Sequence, residues 1–368
     1  MYLPKINIEI MLLHLFYAPP YNINTQIIKS FMCMEGFASL PQLFILYGSL
    51  DKKQRTVYDG MHFDRYVEIV YLNNFASLLG FAEKHKNDIF LLHGNLPYKV
   101  MFFLSVYSQR TDWICWGAKA SINYNNIKSI LLTPLKIFIY RRFYKIITLM
   151  DPDTDSLTHD FRIKNVEQIS YYNPSLEEEL DLFSQFVPVD KSQVCKRKKI
   201  LLGNSAHNIP YYLDILAYLS KFREVLDVHC MMQYPKLDEA AVREFSSEAK
   251  SIFDDSVTLD KEMMERYQYY KYLSNFDVYI CSNLNQSGLG AANNCLKLGL
   301  KVFLAGKNYE WLASLGYKVF DVASIKNADD INIFNALSES EKEYNLNLAF
   351  RIMRVEKNKW MNYRKTLV

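Results

Sequence analysis

Two glycine loops in the second half of the chain carry residue types suited to gripping an anion. Gly203-Asn204-Ser205 follows the apolar run Lys199-Ile200-Leu201-Leu202, and Gln286-Ser287-Gly288-Leu289-Gly290 follows the run from Asp277 to Cys281. A glycine loop that feeds a helix N-terminus leaves backbone N–H groups free and adds the positive end of the helix dipole. A diphosphate sits well against both. The expected grips are the side chains of Asn204, Ser205, Gln286 and Ser287 with the N–H groups of Gly288, Leu289 and Gly290. Taken singly, each of these residues is equally at home in an ordinary turn. Neither G-x-G-x-x-G nor G-K-[ST] is present, so the usual dinucleotide and P-loop fingerprints are absent.

Further candidates lie around these loops. Glu265 and Tyr269 stand four apart on one face of a helical stretch after Val257 to Leu259. A carboxylate there can accept hydrogen bonds from ribose, and the ring can pack beside sugar or base. A solvated glutamate and a core tyrosine are the plain alternatives. Asn308 and Trp311 follow the run ending at Leu304, where a sugar ring would lie, although Trp311 suits the core as well. In the first half, Ile89 to Leu92 delivers His93-Gly94-Asn95 to a loop. An imidazole titrating near neutral pH can take the proton from an acceptor hydroxyl, while a histidine that only caps a loop is the competing account. Trp113 to Trp116 ends in Gly117-Ala118-Lys119, which brings Trp116 and Lys119 to the same expected cleft, with the lysine placed to neutralise phosphate.

The elements that must position these residues alternate throughout. Short apolar runs at 8–16, 42–47, 66–71, 89–92, 113–116 and 145–149 predict strands. Stretches at 24–31, 75–86, 98–108 and 122–143 predict helices between them. The second half repeats the pattern, with strands at 199–202, 224–232, 256–259, 277–281 and 300–304 and helices at 211–221, 237–251, 263–275 and 291–298. Such alternation predicts α/β domains with parallel sheets. The acidic Glu177-Glu178-Glu179 and the basic Lys196 to Lys199 mark a linker, so the expected division is an acceptor domain 1–185, a nucleotide-sugar domain 196–335 and a helical segment 336–368. That tail looks too long for one closing helix and is expected to pack back on the first domain.

Composition excludes several classes. With 50% hydrophobic and 23% charged residues, the 368-residue chain is neither disordered nor fibrous, and a net charge of +3 is too small for a dedicated nucleic-acid binder. No stretch reaches the length of a spanning helix, and the apolar patch from Met11 to Phe16 reads as a strand rather than a signal peptide. Cysteines 33, 115, 195, 230, 281 and 295 show no ligand spacing and read as reduced core thiols of the cytosol. No cofactor is expected. Asp151-Pro152-Asp153 has the letters of a D-x-D metal motif but falls at the expected start of a turn. The segment Lys136 to Lys145 mixes cations with aromatics and, with Tyr98 to Phe103, either rests on an anionic membrane face or forms a buried helix with snorkelling cations.

Two Rossmann-like domains lacking both phosphate fingerprints point to a nucleotide-sugar transferase. A set of motifs in order narrows this: His93-Gly94, Trp113-x-x-Trp116-Gly117-Ala118, Leu202-Gly203-Asn204-Ser205, Tyr234-Pro235, Glu265 with Tyr269, Gln286-x-Gly288-Leu289-Gly290, Gly299, and Asn308 with Trp311. Over residues 88 to 320 their order and spacing resemble the bacterial dTDP-N-acetylfucosamine:lipid-linked-saccharide transferases of enterobacterial common antigen synthesis, glycosyltransferase family 56. The resemblance implies a GT-B fold and a donor that is a dTDP- or UDP-sugar. It also implies a polyprenyl-diphosphate-linked saccharide as acceptor, no bound metal, and a peripheral place on the cytoplasmic face of the inner membrane. With the residue readings above, His93 is the first candidate for the base, Tyr234, Glu265 and Tyr269 are expected at the nucleoside, and Asn95, Trp116, Lys119, Asn308 and Trp311 at sugar or acceptor. The chain departs from the family at Trp113-Ile114-Cys115-Trp116-Gly117-Ala118-Lys119, where relatives carry W-H-I-W-G-A-D. An O-antigen or capsule transferase of the same fold is therefore an expectation too. A non-catalytic nucleotide-sugar-binding subunit and a two-Rossmann epimerase are the alternatives.

Overall fold

The computed structural model describes residues 10–18, 21–61, 68–117, 119–122, 127–171, 197–205, 209–232, 239–262, 264 and 266–367. Of the linker expected between 174 and 199, residues 174–196 lie outside these, as do Tyr234 and Glu265, while Lys198 and Lys199 open a strand. The chain divides into two units, one of residues 1–175 with 353–368, the other of residues 176–352.

Unit 1 carries a seven-stranded parallel sheet built from β1 (Leu12–Tyr17), β2 (Gln42–Tyr47), β3 (Glu68–Leu72), β4 (Ile89–His93), β5 (Arg110–Cys115), β6 (Lys145–Thr148) and β7 (Val166–Gln168). The order is β3-β2-β1-β4-β5-β6-β7, so strand order reverses between β1 and β4. Helices α1 (Tyr21–Cys33), α2 (Lys52–Asp59), α3 (Phe75–Lys84), α4 (Tyr98–Tyr107), α5 (Ile127–Leu131), α6 (Thr133–Tyr140) and α7 (Asp151–His159) connect the strands. Both sheet faces are covered, which is why the strands read as unbroken apolar runs. Leu13, Leu15, Phe90, Leu92 and Trp113 pack on one face. Leu12, Phe16, Leu91 and Ile114 pack on the other, with Phe31 and Phe37 above them.

Unit 2 carries a six-stranded parallel sheet of β8 (Lys198–Leu202), β9 (Leu226–Met231), β10 (Val257–Asp260), β11 (Val278–Cys281), β12 (Lys301–Leu304) and β13 (Phe320–Asp321), in the order β10-β9-β8-β11-β12-β13. Its helices are α8 (Ile209–Leu219), α9 (Glu239–Phe253), α10 (Arg266–Leu273), α11 (Leu289–Lys297), α12 (Gly306–Ser314) and α13 (Ala323–Lys326). Here the order reverses between β8 and β11, and both glycine loops leave these two strands. In an open parallel sheet the crevice at such a switch point is where ligands bind.

Helix α14 (Glu339–Lys365) runs 27 residues without a break. The tail that looked too long for one helix is one helix, and its residues from 353 belong to unit 1. The expected helix 122–143 is two, because Pro134 at the start of α6 ends the preceding turn. The Asp151 motif opens α7 rather than a turn, with both aspartates in its first turn. Cys33 is exposed, unlike the core thiols Cys115, Cys230, Cys281 and Cys295. No helix among the described residues is long and apolar enough to cross a membrane.

Candidate functional site

In unit 2 the two glycine loops meet. Gly203 continues β8 with its N–H donating to the Ile280 carbonyl of β11 at 2.7 Å. Its φ of +62° suits glycine, and a Cβ there would lie 2.1 Å from the Tyr212 ring, so the loop turns directly over that tyrosine. The Tyr212 hydroxyl shares its proton between the carbonyls of Ser205 (2.9 Å) and Met231 (2.8 Å) and accepts from the Ser205 N–H. This pins the 203–205 loop to the end of β9.

The second loop closes onto the first. Ser287 Oγ donates to Asn204 Oδ1 at 3.2 Å, and the buried Asn308 donates through Nδ2 to the Ser287 carbonyl at 2.5 Å. Gly288 caps α11 at φ +70°, with no side chain capping the helix. A Cβ at Gly288 would come within 2.9 Å of both Asn204 Oδ1 and the Tyr279 hydroxyl. The backbone can lie this close only without a side chain. The first N–H groups of α11 thus open beside Asn204 and Ser287 with the dipole's positive end behind them. Among the described residues, Tyr279 Oη, Gln286 Oε1 and Asn308 Oδ1 are buried without a hydrogen-bond partner. Buried polar atoms usually have partners, so three orphans around one loop mark a place where further donors fit.

Gly203 to Ser205, Gln286 to Gly290 and Asn308 are therefore brought together. Trp311 is not among them: it lies in the core under α12, 6% exposed. Tyr269 is half-buried in α10, and Tyr234 and Glu265 lie outside the described residues. A cavity of about 580 Å³ opens at the edge strand β10, lined by Lys250, Asp260, Lys261 and Glu262 among others, and neither glycine loop borders it. Sequence reading missed Tyr212 and Tyr279. Neither carries a motif, and only the space above the two glycines reveals them.

In unit 1 the strands at the switch point place His93 differently from the expectation. Its side chain points down onto the sheet face beneath α1, 1% exposed, rather than into the loop. Its Nε2 lies 3.0 Å from His14 Nδ1 and its Nδ1 lies 2.8 Å from the Tyr171 hydroxyl. The proton positions follow from the two ends. Gln42 donates to the Phe37 carbonyl, so its Oε1 accepts from His14 Nε2–H at 3.0 Å. His14 Nδ1 then accepts from His93 Nε2–H, and His93 Nδ1 accepts from Tyr171 O–H, which accepts from Trp116 Nε1–H at 3.3 Å. Every bond runs one way with both rings neutral. Burial lowers the pKa of His14 to about 3; burial first, then the neighbouring ring, hold that of His93 well below the ordinary imidazole value.

Lys119 also differs from its expected role. Its ammonium donates to the Leu96 carbonyl and rests 3.9 Å from the centre of the Tyr98 ring. Burial brings its pKa down to about 8. It ties the loop after β4 to the loop after β5, and Trp113 Nε1–H adds a second tie to the Gly94 carbonyl at 2.9 Å. Trp116 is half-buried above Tyr171, and Asn95 is exposed. His14 and Tyr171 escaped the sequence reading because they lie 79 and 78 residues from their partner. Among the described residues no three His, Cys, Asp or Glu side chains gather as a metal site.

A family model described as 4-alpha-L-fucosyltransferase glycosyl transferase group 56 matches residues 28–335. The chain belongs to glycosyltransferase family 56. No curated protein matches it by sequence. Solved structures share the architecture of this family 56 transferase along nearly the whole chain, among them the following three. The apo structure of OtsA is 9% identical with a TM-score of 0.66, covering 98% of this chain and 100% of its own. A glycosyltransferase from Rickettsia africae is 11% identical at 0.65, covering 98% of each. Anabaena HepE in complex with UDP-glucose is 10% identical at 0.67, covering 97% of this chain and 100% of its own. At such identities the likeness is one of fold, and the fold of the family 56 transferase is GT-B, with two Rossmann-like domains. It is accordingly a Leloir glycosyltransferase.

Proposed function

We propose that this transferase moves an N-acetylated amino-deoxyhexose from a dTDP- or UDP-sugar to a hydroxyl of a polyprenyl-diphosphate-linked saccharide. The proposed setting is surface polysaccharide synthesis, at the cytoplasmic face of the inner membrane. One observation carries the donor half: two glycine loops at the switch point of the unit 2 sheet hydrogen-bond to each other beside the uncapped N-terminus of α11. Donors aimed at a diphosphate stabilise the charge that grows on it as the sugar leaves, and the α11 dipole acts in the same sense. The orphan acceptors Gln286 Oε1 and Asn308 Oδ1 complement the hydroxyl and amide donors of a sugar ring. HepE, of the same fold, binds UDP and UDP-glucose in its solved complexes. No metal is required by this scheme.

Mixing donor and lipid-linked acceptor should release free nucleoside diphosphate, and donor alone should release none. Calorimetry should give a donor affinity that Gly288→Val lowers by more than about tenfold, because its Cβ displaces Asn204 and its φ is strained by about 1–3 kcal/mol. Unchanged affinity in that variant would remove the loop from the site. A second reading, nucleotide-sugar epimerisation, has one observation behind it: UDP-GlcNAc 2-epimerase from Neisseria meningitidis shares the fold at a TM-score of 0.53 and 15% identity. Conversion of donor in the absence of acceptor would favour it.

A further inference from the structure

We propose that the outer face of α4, α5 and α6 in unit 1 docks on an anionic lipid bilayer. More than half of the large apolar side chains that are exposed among the described residues lie between Phe102 and Tyr144. Leu131 is 72% exposed and Ile127 68%, with Phe138 and Leu135 about half exposed. Phe102 of α4 and Phe138 of α6 lie with ring centres 6.0 Å apart, so the two helices present one continuous surface. In α6 Leu135 and Phe138 face outward while Lys136 is buried beside Ile139 and Tyr140. Water disfavours so many exposed apolar side chains in one place, and a concentration of this kind marks an interaction surface.

Charge selects the occupant. Between Tyr98 and Lys145 the one acidic residue is Asp112, fully buried in β5 and paired with Arg110 at 2.8 Å. Lys99, Lys128, Arg141 and Arg142 are exposed around the apolar side chains, and the Arg142 guanidinium sits 5.4 Å from the Phe138 ring centre. An apolar patch whose own segment exposes, among the described residues, cations and no carboxylate matches a bilayer whose acyl boundary takes the leucines and phenylalanines and whose phosphates meet the cations. A second copy of the same face would set cation against cation. The purpose of the docking rests on reading the acceptor as lipid-linked; the docking itself does not.

The test uses the full chain and sucrose-loaded vesicles without any saccharide, made either of phosphatidylglycerol with phosphatidylcholine or of phosphatidylcholine alone. Wild-type protein should sediment with the anionic vesicles and at least about tenfold less with the neutral ones. The double variants Leu131→Glu with Phe138→Glu, and Arg141→Glu with Arg142→Glu, should each weaken anionic binding by about tenfold or more, with unchanged circular dichroism and melting temperature, since all four side chains are exposed. Three results would overturn the proposal: no sedimentation of wild type, sedimentation that either variant retains, or light scattering that shows an oligomer which the Leu131→Glu/Phe138→Glu variant dissolves. Vesicle binding without transfer to a lipid-linked acceptor would fail only the acceptor reading. Transfer in detergent without vesicle binding would fail only the docking face.

Discussion

His14 and His93 lose their water when β1 and β4 pair, and each accepts at Nδ1 and donates at Nε2 within the same row. No ring nitrogen has a lone pair left for an incoming proton. With folded pKa values depressed to about 3 for His14 and well below 6.5 for His93, the unfolded chain holds protons in this window that the folded chain refuses. Stability therefore rises with pH through the window and is lost as pH falls below about 6.5, at about 1.4 kcal/mol per pH unit for each histidine. Urea unfolding of the whole chain from about pH 7 to about pH 4 should show this slope, and His14→Gln with His93→Asn should flatten it. An unaltered slope would mean that other groups govern acid unfolding. The position of His93 at a strand end was legible in the sequence. The face it occupies was not, because strands buried on both sides carry no alternation of polar and apolar residues from which to read one.

At the scale of elements, α14 covers the sheet face on which those histidines lie. Trp360 is fully buried against Phe31 and Phe37, and its indole donates to the Ser170 carbonyl at 2.9 Å. Tyr363 donates to Asp112 at 2.8 Å, and Glu356 accepts from the Ser170 N–H at 2.6 Å. Trp360→Ala should cost ~3–5 kcal/mol, read as a shift of the denaturant midpoint, and leave donor binding by unit 2 intact below the transition. Loss of both together would show that the units do not stand on separate cores. Strands β1, β2, β4 and β6 could be found from their apolar runs. The short α2, β7 and β13 could not, since two to eight residues carry too little periodicity to separate a helix or strand from a loop. The glycine loops were legible because left-handed φ values demand a particular residue. Tyr212 and Tyr279 were not, because packing beneath a glycine leaves no trace in its spacing.

For the whole molecule, two parallel sheets with separate cores make unit 2 a continuous stretch and unit 1 a split one. The fragment 176–352 should fold alone, with dispersed amide resonances and retained affinity for the nucleoside diphosphate, whereas 1–175 should not fold without 353–368. A folded 1–175 fragment would show that the cover from α14 is dispensable. The split has a consequence for synthesis. Chains usually fold from the N-terminus as they emerge. Here the ribosome delivers all seven strands of unit 1 before any of unit 2, yet Trp360, Tyr363 and Leu367, which close one face of that sheet, follow the whole of unit 2. The second unit can be complete while the first still waits for residues 353–368, so a nonsense codon shortly before Trp360 would damage the unit made earlier of the two.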